Sequence, residues 1–411
     1  MKKNSSSPAL PSASAALDEF AGAGARGFAG NVASSVLMAS LILPGMAALV
    51  SRDAAAENAP EQSTIGLKYG SYKDSQPGLD RIKVSTPQVY AQVPIAGVWS
   101  IEGSASGDSV SGASSYLHTE RSSASQMSDY RKAADIKVTR YLSRAAVSAS
   151  VSYSTEHDYV SRAIGLEGRW STADNNRTWT IGYGLSRDRI DNTSNGTNTA
   201  IDQHKRTHEF MAGVTQVLTA SDIIQLNLTR SIGTGYYDDP YKYLDLRPDR
   251  RNAWIGLARL NHYVSRFDAA LRGNYRYYAD TFGIRSHTVG VEWEQSFGRW
   301  SITPGARYYS QSTANFYLDP VLDATGQYDV GATLASGFGV TGPHSFDARL
   351  GAFGAATLSG KVSYRVTPDT VVDAKFETYR QAAGLHAGTS GSPNLDTLRA
   401  NFLQLGLTHR F

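Results

Sequence analysis

Apolar and polar residues alternate along most of the chain after residue 62. In the segment 145–154, Val147, Ala149, Val151 and Tyr153 fall on one face and serines fall on the other. Segments 177–186, 222–232 and 267–278 repeat the alternation. Period two with one apolar face indicates a β-strand. Strands of about 9–11 residues are long enough to cross an outer membrane at a tilt.

The end of the chain continues the same pattern. Leu403, Leu405, Leu407, His409 and Phe411 fall on one face of a predicted last strand. An apolar strand with a terminal aromatic resembles the last strand of bacterial outer-membrane β-barrels, whose C-terminal Phe is read by the barrel-assembly machinery. This resemblance implies that Phe411 is an assembly signal. One such strand could also close a soluble β-sandwich, so the connections between the other strands are needed to distinguish the two folds.

Short and longer connections alternate between the predicted strands. The short ones lie around Pro94, Ser143, 174–176, 220–222, Ser265, Gly298 and 368–369. The others lie at 74–80, 108–130, 157–158, 191–205, 235–250, 280–283, 313–345 and 383–396. Barrels that span outer membranes have short turns at one end and longer loops at the other. The pattern predicts an all-β fold, a transmembrane antiparallel up-and-down β-barrel of about 16 strands within a range of 14–18.

Composition agrees with a strand-built membrane protein. The 411 residues include no Cys, and the mean hydropathy of −0.33 is too low for a helical membrane protein. No apolar run of about 18 residues occurs beyond the N-terminal region. The net charge of +3 gives no sign of nucleic-acid binding.

The first 56 residues have the features of a signal peptide. Basic residues precede an apolar stretch at about 28–50, and alanines at 54–56 offer a small-residue cleavage site. The alternative is an N-terminal membrane anchor, which Pro44 and Gly45 disfavour because they interrupt the apolar stretch. We expect 1–56 to be removed and 57–411 to form the barrel.

The polar strand faces carry charges of both signs. A midplane Arg or Lys facing lipid costs about 2–4 kcal/mol, so these residues are predicted to line the lumen. They either brace the wall as ion pairs or select solutes by charge. The predicted lumen-lining residues are Glu167, Arg169, Asp268, Arg272, Arg276, Glu292, Glu294, Arg307, Asp373, Lys375 and Glu377.

No pattern indicates catalysis or metal binding. His204 and His208 share a strand face and lack the geometry of a helical ligand pair. The acidic residues at 238–249 stand among Lys and Arg, which favours a salt-bridged loop over a calcium site. The segment 107–112 does not contain a Gly-x-Ser-x-Gly motif, because Ser111 stands where the second Gly is required. We predict no catalytic residue, no cofactor and no metal.

Several motifs resemble an uncharacterised family of proteobacterial outer-membrane β-barrel proteins, known as a domain of unknown function and porin-like in architecture. They lie at 107–114, 235–242, 247–251, 275–280 and 307–311, followed by Phe316 and Tyr317. The resemblance implies an outer-membrane barrel and brings no assigned activity. Its members often occur with periplasmic redox-type proteins, which hints at a periplasmic partner.

These observations predict a porin-like channel for small polar solutes in the outer membrane of a Gram-negative bacterium, in contact with its lipid. The alternative is a scaffold that anchors or encloses a periplasmic or surface partner; an outer-membrane hydrolase is the least favoured function. Segments 108–130 and 313–345 are candidate plugs of the lumen. One outer-loop motif either contacts a ligand, lies across the pore mouth or packs on itself: Asp238, Asp239, Pro240, Tyr241 and Lys242.

Overall fold

The structure is a computed structural model that describes residues 58–113, 126–192, 200–240, 242, 244–326 and 328–411. The expected signal peptide and Tyr241 of the outer-loop motif lie outside these residues. No helix among the described residues is both long enough and apolar enough to cross a membrane.

Sixteen antiparallel strands form one closed barrel, as the alternation predicts. The strands are β1 Thr64–Gln76, β2 Leu79–Ile95, β3 Trp99–Ala113, β4 Gln126–Tyr141, β5 Ala145–Thr155, β6 Tyr159–Ser171, β7 Arg177–Asn192, β8 Ala200–Val217, β9 Asp222–Gly235, β10 Arg250–Val264, β11 Ala269–Asp280, β12 Arg285–Phe297, β13 Trp300–Gln311, β14 Phe353–Thr367, β15 Thr370–Ala382 and β16 Leu398–Arg410. One α-helix, α1 (Val330–Phe338), and short 3-10 turns at Ala348–Leu350 and Ala383–Leu385 lie in the connections.

The last strand closes the wall against the first. Leu407 is opposite Leu67 in the pairing of β16 with β1. Beyond this register, the amides of Ser63 and Phe411 each donate to the other's carbonyl at 3.0 Å. Closure pairs the edges that an open sheet would leave exposed.

The connections sort onto two ends of the barrel. At the turn end, adjacent strands are joined by two to five residues, as at Gly298 and Arg299 between β12 and β13. Ala96 and Gly97 reverse the chain there with left-handed φ values of 52° and 68°. The opposite end, here the loop end, holds the longer connections. Three of its connections are short: 156–158, 281–284 and the predicted loop 74–80, where β1 and β2 extend until only Pro77 and Gly78 join them.

The two faces of the wall differ as the alternation requires. Outward side chains are large and apolar; Ile181, Leu166 and Val151 are 67%, 54% and 55% exposed. Five of the six tryptophans are also exposed. Inward positions carry small, polar and charged side chains. Such an exterior, with its aromatic residues near strand ends, has the pattern of a lipid-facing surface.

Two loop-end connections fold against each other. The β9–β10 loop (residues 236–249) and the β13–β14 loop (residues 312–352) meet at an antiparallel bridge between Leu246 and His344. Phe316 and Leu350 of the second loop form a buried apolar cluster with Phe282 of the β11–β12 connection. The predicted plug 313–345 is therefore an ordered part of the loop end, packed on a second loop.

Candidate functional site

Charged side chains on the inward wall are joined as ion pairs. Arg272 Nη2 lies 2.7 Å from Glu294 Oε2 across β11 and β12. Lys375 and Glu377, two residues apart on β15, are 3.3 Å apart. These pairs satisfy charges that would be costly to hold singly in a low-dielectric wall.

A second inward network spans β4 and β6. Glu167 is 6% exposed and lies 3.6 Å from Arg169 and 4.0 Å from Lys137. Lys137 was not among the residues selected from the sequence. A long Ser-rich segment precedes its strand, β4, so the sequence does not show which residues of this strand face inward. Other inward pairs near the strand ends are also absent from the residues predicted from the sequence, such as Lys205 with Asp188 at 3.3 Å.

The remaining predicted lining residues lie as follows. Arg307 donates to Thr357 Oγ1 at 3.2 Å, and Arg276 lies over the Tyr278 ring at 5.5 Å. Glu292 is opposite Arg272, and Asp373 is opposite Gly406.

Asp268 has a different place in the structure. It lies in the turn before β11 with a φ of 50° and accepts a 2.7 Å hydrogen bond from Tyr263. The strand predicted at 267–278 begins two residues later, at Ala269, because the left-handed conformation of Asp268 interrupts the extended backbone.

The loop end carries a dense charged group, here called the outer loop cluster. Its members are Asp238, Asp239, Lys242, Asp245, Arg247, Asp347 and Arg349. Arg247 is central: its Nε lies 2.8 Å from Asp245 and its Nη2 lies 2.9 Å from Asp347. Arg349 contacts both Asp347 and Asp239. The ion pairs thus connect the two folded loops.

Burial and neighbouring charge divide the carboxyl groups of the cluster. Burial raises the pKa of Asp245, in spite of its contact with Arg247, and it also raises the pKa of Asp238. Burial opposes the charge of Asp347 too, but Arg349, Lys242 and Arg247 outweigh it and hold the pKa well below the usual range. Burial also opposes the charge of Asp239, but Arg349, Lys242 and Arg247 together outweigh it and lower the pKa.

The three charged residues of the motif, Asp238, Asp239 and Lys242, lie within this cluster. Asp238 accepts the Arg247 amide at 2.6 Å, and the Lys242 amide donates to the Asp239 carbonyl at 3.0 Å across Pro240. Lys242 is only 8% exposed.

The β9–β10 loop comes within electrostatic range of the opposite side of the barrel. Burial lowers the pKa of Lys242, and the charge of Arg81 lowers it further. Arg81 is on β2, which lies eight strands away from β10 in either direction around the wall. A loop that starts at β9 and comes within electrostatic range of β2 narrows the loop-end mouth.

Histidines of the described chain make local contacts. His262 is 2.7 Å from Asp222, and His208 is 3.0 Å from the Tyr183 hydroxyl. Within the described ranges, no serine hydroxyl is hydrogen-bonded to a histidine, and no three His, Asp or Glu side chains gather as metal ligands would.

Solved structures similar to the chain are outer-membrane barrels of low sequence identity. A bacterial polysaccharide outer membrane secretin is 10% identical with a TM-score of 0.47, and the match covers 85% of this chain and 98% of that one. OpdQ of Pseudomonas aeruginosa is 9% identical with a TM-score of 0.42, covering 85% and 99%. The CymD monoaromatic hydrocarbon channel is 10% identical with a TM-score of 0.40, covering 85% and 89%.

No curated protein matches the chain. Residues 119–404 match a family described as "Protein of unknown function (DUF3570)", which takes in more than half of the sequence. The chain therefore belongs to the DUF3570 family.

Proposed function

We propose that this protein is an outer-membrane channel for small polar solutes, with the loop end at the cell surface. The observation that carries the proposal is the division of the wall into an apolar exterior and an interior of paired charges. A wall of sixteen strands encloses enough space for an aqueous path unless loops fill it. The outer loop cluster narrows this path at one end.

The inward charges are unevenly distributed around the wall. Strands β10–β14 carry several inward cations, and the acids facing them there are mainly Glu292 and Glu294 on β12. The cations are Arg259, Arg272, Arg276, Arg307 and Lys361. A strip in which cations outnumber acids raises the local concentration of anions along a low-dielectric wall. We propose that the channel favours anionic over cationic solutes.

Conductance of the purified, folded barrel in planar bilayers tests the proposal. We expect discrete steps and a reversal potential that shows anion preference in a salt gradient. Reversing two charges of the strip, Arg276→Glu with Arg307→Glu, should move the reversal potential toward cations. Arg266→Glu with Arg299→Glu, two exposed changes at turns, is the matched control. A folded barrel that is silent at every voltage would refute the channel.

A scaffold that holds a periplasmic or surface partner is the second candidate. The ion-paired lumen and the folded loops at the mouth favour it. Charges that pair with each other stabilise the wall whether or not solutes pass through the barrel. Crosslinking in intact cells should then recover one dominant partner from the wild type. Recovery of this chain alone would count against the scaffold.

A further inference from the structure

Three arginines are directly opposed on adjacent strands of the exterior. Arg162 on β6 is opposite Arg187 on β7, and Arg187 is opposite Arg206 on β8. All three are exposed and share the outward face with apolar residues such as Ile164 and Leu185. We call this set the arginine ladder.

The ladder is unfavourable for the sheet alone. Like charges at directly opposed positions destabilise a strand pair. Among the described residues, none of the three guanidinium groups has a hydrogen bond or an ion pair with an acid. Two outward acids on the same strands, Asp191 and Asp202, are paired with Arg189. An arrangement of this kind is stabilised by an external anion that contacts several guanidinium groups.

The ladder lies at the loop-end boundary of the apolar exterior. On the same two strands, Trp170 is opposite Trp179 at the turn end, eight residues from Arg162 and Arg187. At about 3.3 Å per residue and a tilt of about 40°, this separation spans roughly 20 Å of height. The apolar band of such barrels is about 25 Å tall. The arginine side chains are long enough to extend to the headgroup level.

An apolar groove of about 550 Å³ begins next to the ladder. It lies on the exterior of β1–β5 and is lined by Leu67, Pro87, Val89, Tyr130 and Tyr153 among others. Tyr153 is directly opposite Arg162, so the groove and the ladder are adjacent. The small residues Ala105 and Gly107 also line it, and the Tyr130 side chain packs against Gly107.

We propose that the arginine ladder binds the phosphorylated headgroup of an outer-leaflet glycolipid, with one acyl chain in the adjacent groove. Guanidinium groups pair with phosphate oxygens in bidentate fashion, which suits three in a row. The site rests on the proposed function only for the membrane location, since a lipid must face this wall.

Retention of lipid A tests the site. Folded protein is purified in uncharged detergent, given bis-phosphorylated lipid A and measured by native mass spectrometry and thermal unfolding. The test variant combines Arg162→Gln, Arg187→Gln and Arg206→Gln. The control combines Arg177→Gln, Arg266→Gln and Arg299→Gln, three exposed arginines at the turn end with the same change of charge.

We expect wild type and control to retain lipid A and to be stabilised by it, and the ladder variant to retain at least about tenfold less. Without lipid, the ladder variant should unfold at the same or a higher temperature, because the repulsion is gone. Dephosphorylated lipid A should bind weakly to all three proteins. Inorganic phosphate should neither stabilise the wild type nor displace the lipid.

Equal retention by the ladder variant and the wild type would overturn the proposal, and so would an equal loss in the turn-end control. Stabilisation by inorganic phosphate alone would replace the glycolipid with a simple anion site. The readout is separate from conductance. A silent barrel that binds lipid A through the ladder refutes only the channel, and a conducting barrel indifferent to lipid A refutes only this site.

Discussion

Arg247 donates a 2.9 Å hydrogen bond to Asp347, a residue 100 positions away in the sequence, and so joins the two folded loops of the loop end. The arginine also contacts Asp245 at 2.8 Å. It is therefore shared by two buried carboxylates, of which Asp347 also pairs with Arg349.

Replacing Arg247 with Ala should release the two loops without unfolding the barrel. Removing one partner of a buried ion pair costs about 3–5 kcal/mol, because the remaining charge is left without compensation. The strand pairing does not involve this residue, so the cost should open the loops. Chymotrypsin cleavage near Phe316 should accelerate by at least about tenfold, and single-channel conductance should rise. Exposed Arg285→Ala is the control; equal cleavage of both variants would contradict the assigned role.

Acidification should change the charge of the mouth before it opens the loops. Asp238 and Asp245 have pKa values raised above the ordinary 3.8, so they take up protons first as the pH falls. The cluster then passes from four carboxylates against three cations to two against three. Anion preference should increase toward pH 4, and Asp238→Asn with Asp245→Asn should abolish this increase. An unchanged reversal potential in the wild type over this range would refute it.

The pH dependence of the stability of the outer loop cluster should be set by the other two carboxylates, Asp239 and Asp347. Asp239 and Asp347 have lowered pKa values, so the stability they contribute is present above 3.8 and is lost only as the pH falls through their lower values. Protonation of Asp238 and Asp245, whose pKa values are raised, stabilises the folded loops as the pH falls toward 3.8. Protease protection of the loops should therefore persist down to pH 3.8 and fail below it. Loss of protection between pH 7 and 5 would contradict this assignment.

Gly354 on β14 should not tolerate a side chain. A Cβ atom there would collide with the carbonyl of Leu385, which also accepts a 2.6 Å hydrogen bond from Tyr308. Gly354→Ala should displace the β15–β16 connection and lower the thermal midpoint by several degrees. Gly360→Ala is the matched control, since no atom lies within 4 Å of its added Cβ on the same strand. Equal midpoints for the two variants would count against the contact.

Substitution and deletion of Phe411 should distinguish a role of its ring in barrel assembly from the role of its backbone in barrel closure. Its backbone forms two 3.0 Å hydrogen bonds with Ser63, whereas its ring is 66% exposed and stacks only on His409. Phe411→Ala should leave the purified barrel stable after refolding but reduce its yield in cellular outer membranes. Deletion of Phe411 should reduce both. Heat-dependent gel mobility measures folding in each fraction, and normal membrane yield of Phe411→Ala would remove the assembly role.

Sequence periodicity identified the wall better than the mouth. Lys375 and Glu377 were placed inward because side-chain direction in a strand follows from parity alone. No periodic pattern in the sequence predicts the contact of Arg247 with Asp347. The contact joins two irregular loops and depends on how β10 to β13 bring them together. Asp268 shows the boundary between the two cases: parity still assigns it a face, but a turn has already replaced the strand.

The bridge between Leu246 and His344 also sets an order of events. Strands β10 to β13 separate its two residues in the chain, so the bridge cannot form until all four have entered the wall. With the loop end at the cell surface, as proposed, both loops cross the bilayer before they can meet. A conformation-specific antibody against the assembled loops would therefore bind completely inserted molecules and ignore intermediates, which makes this surface a natural reporter of finished biogenesis.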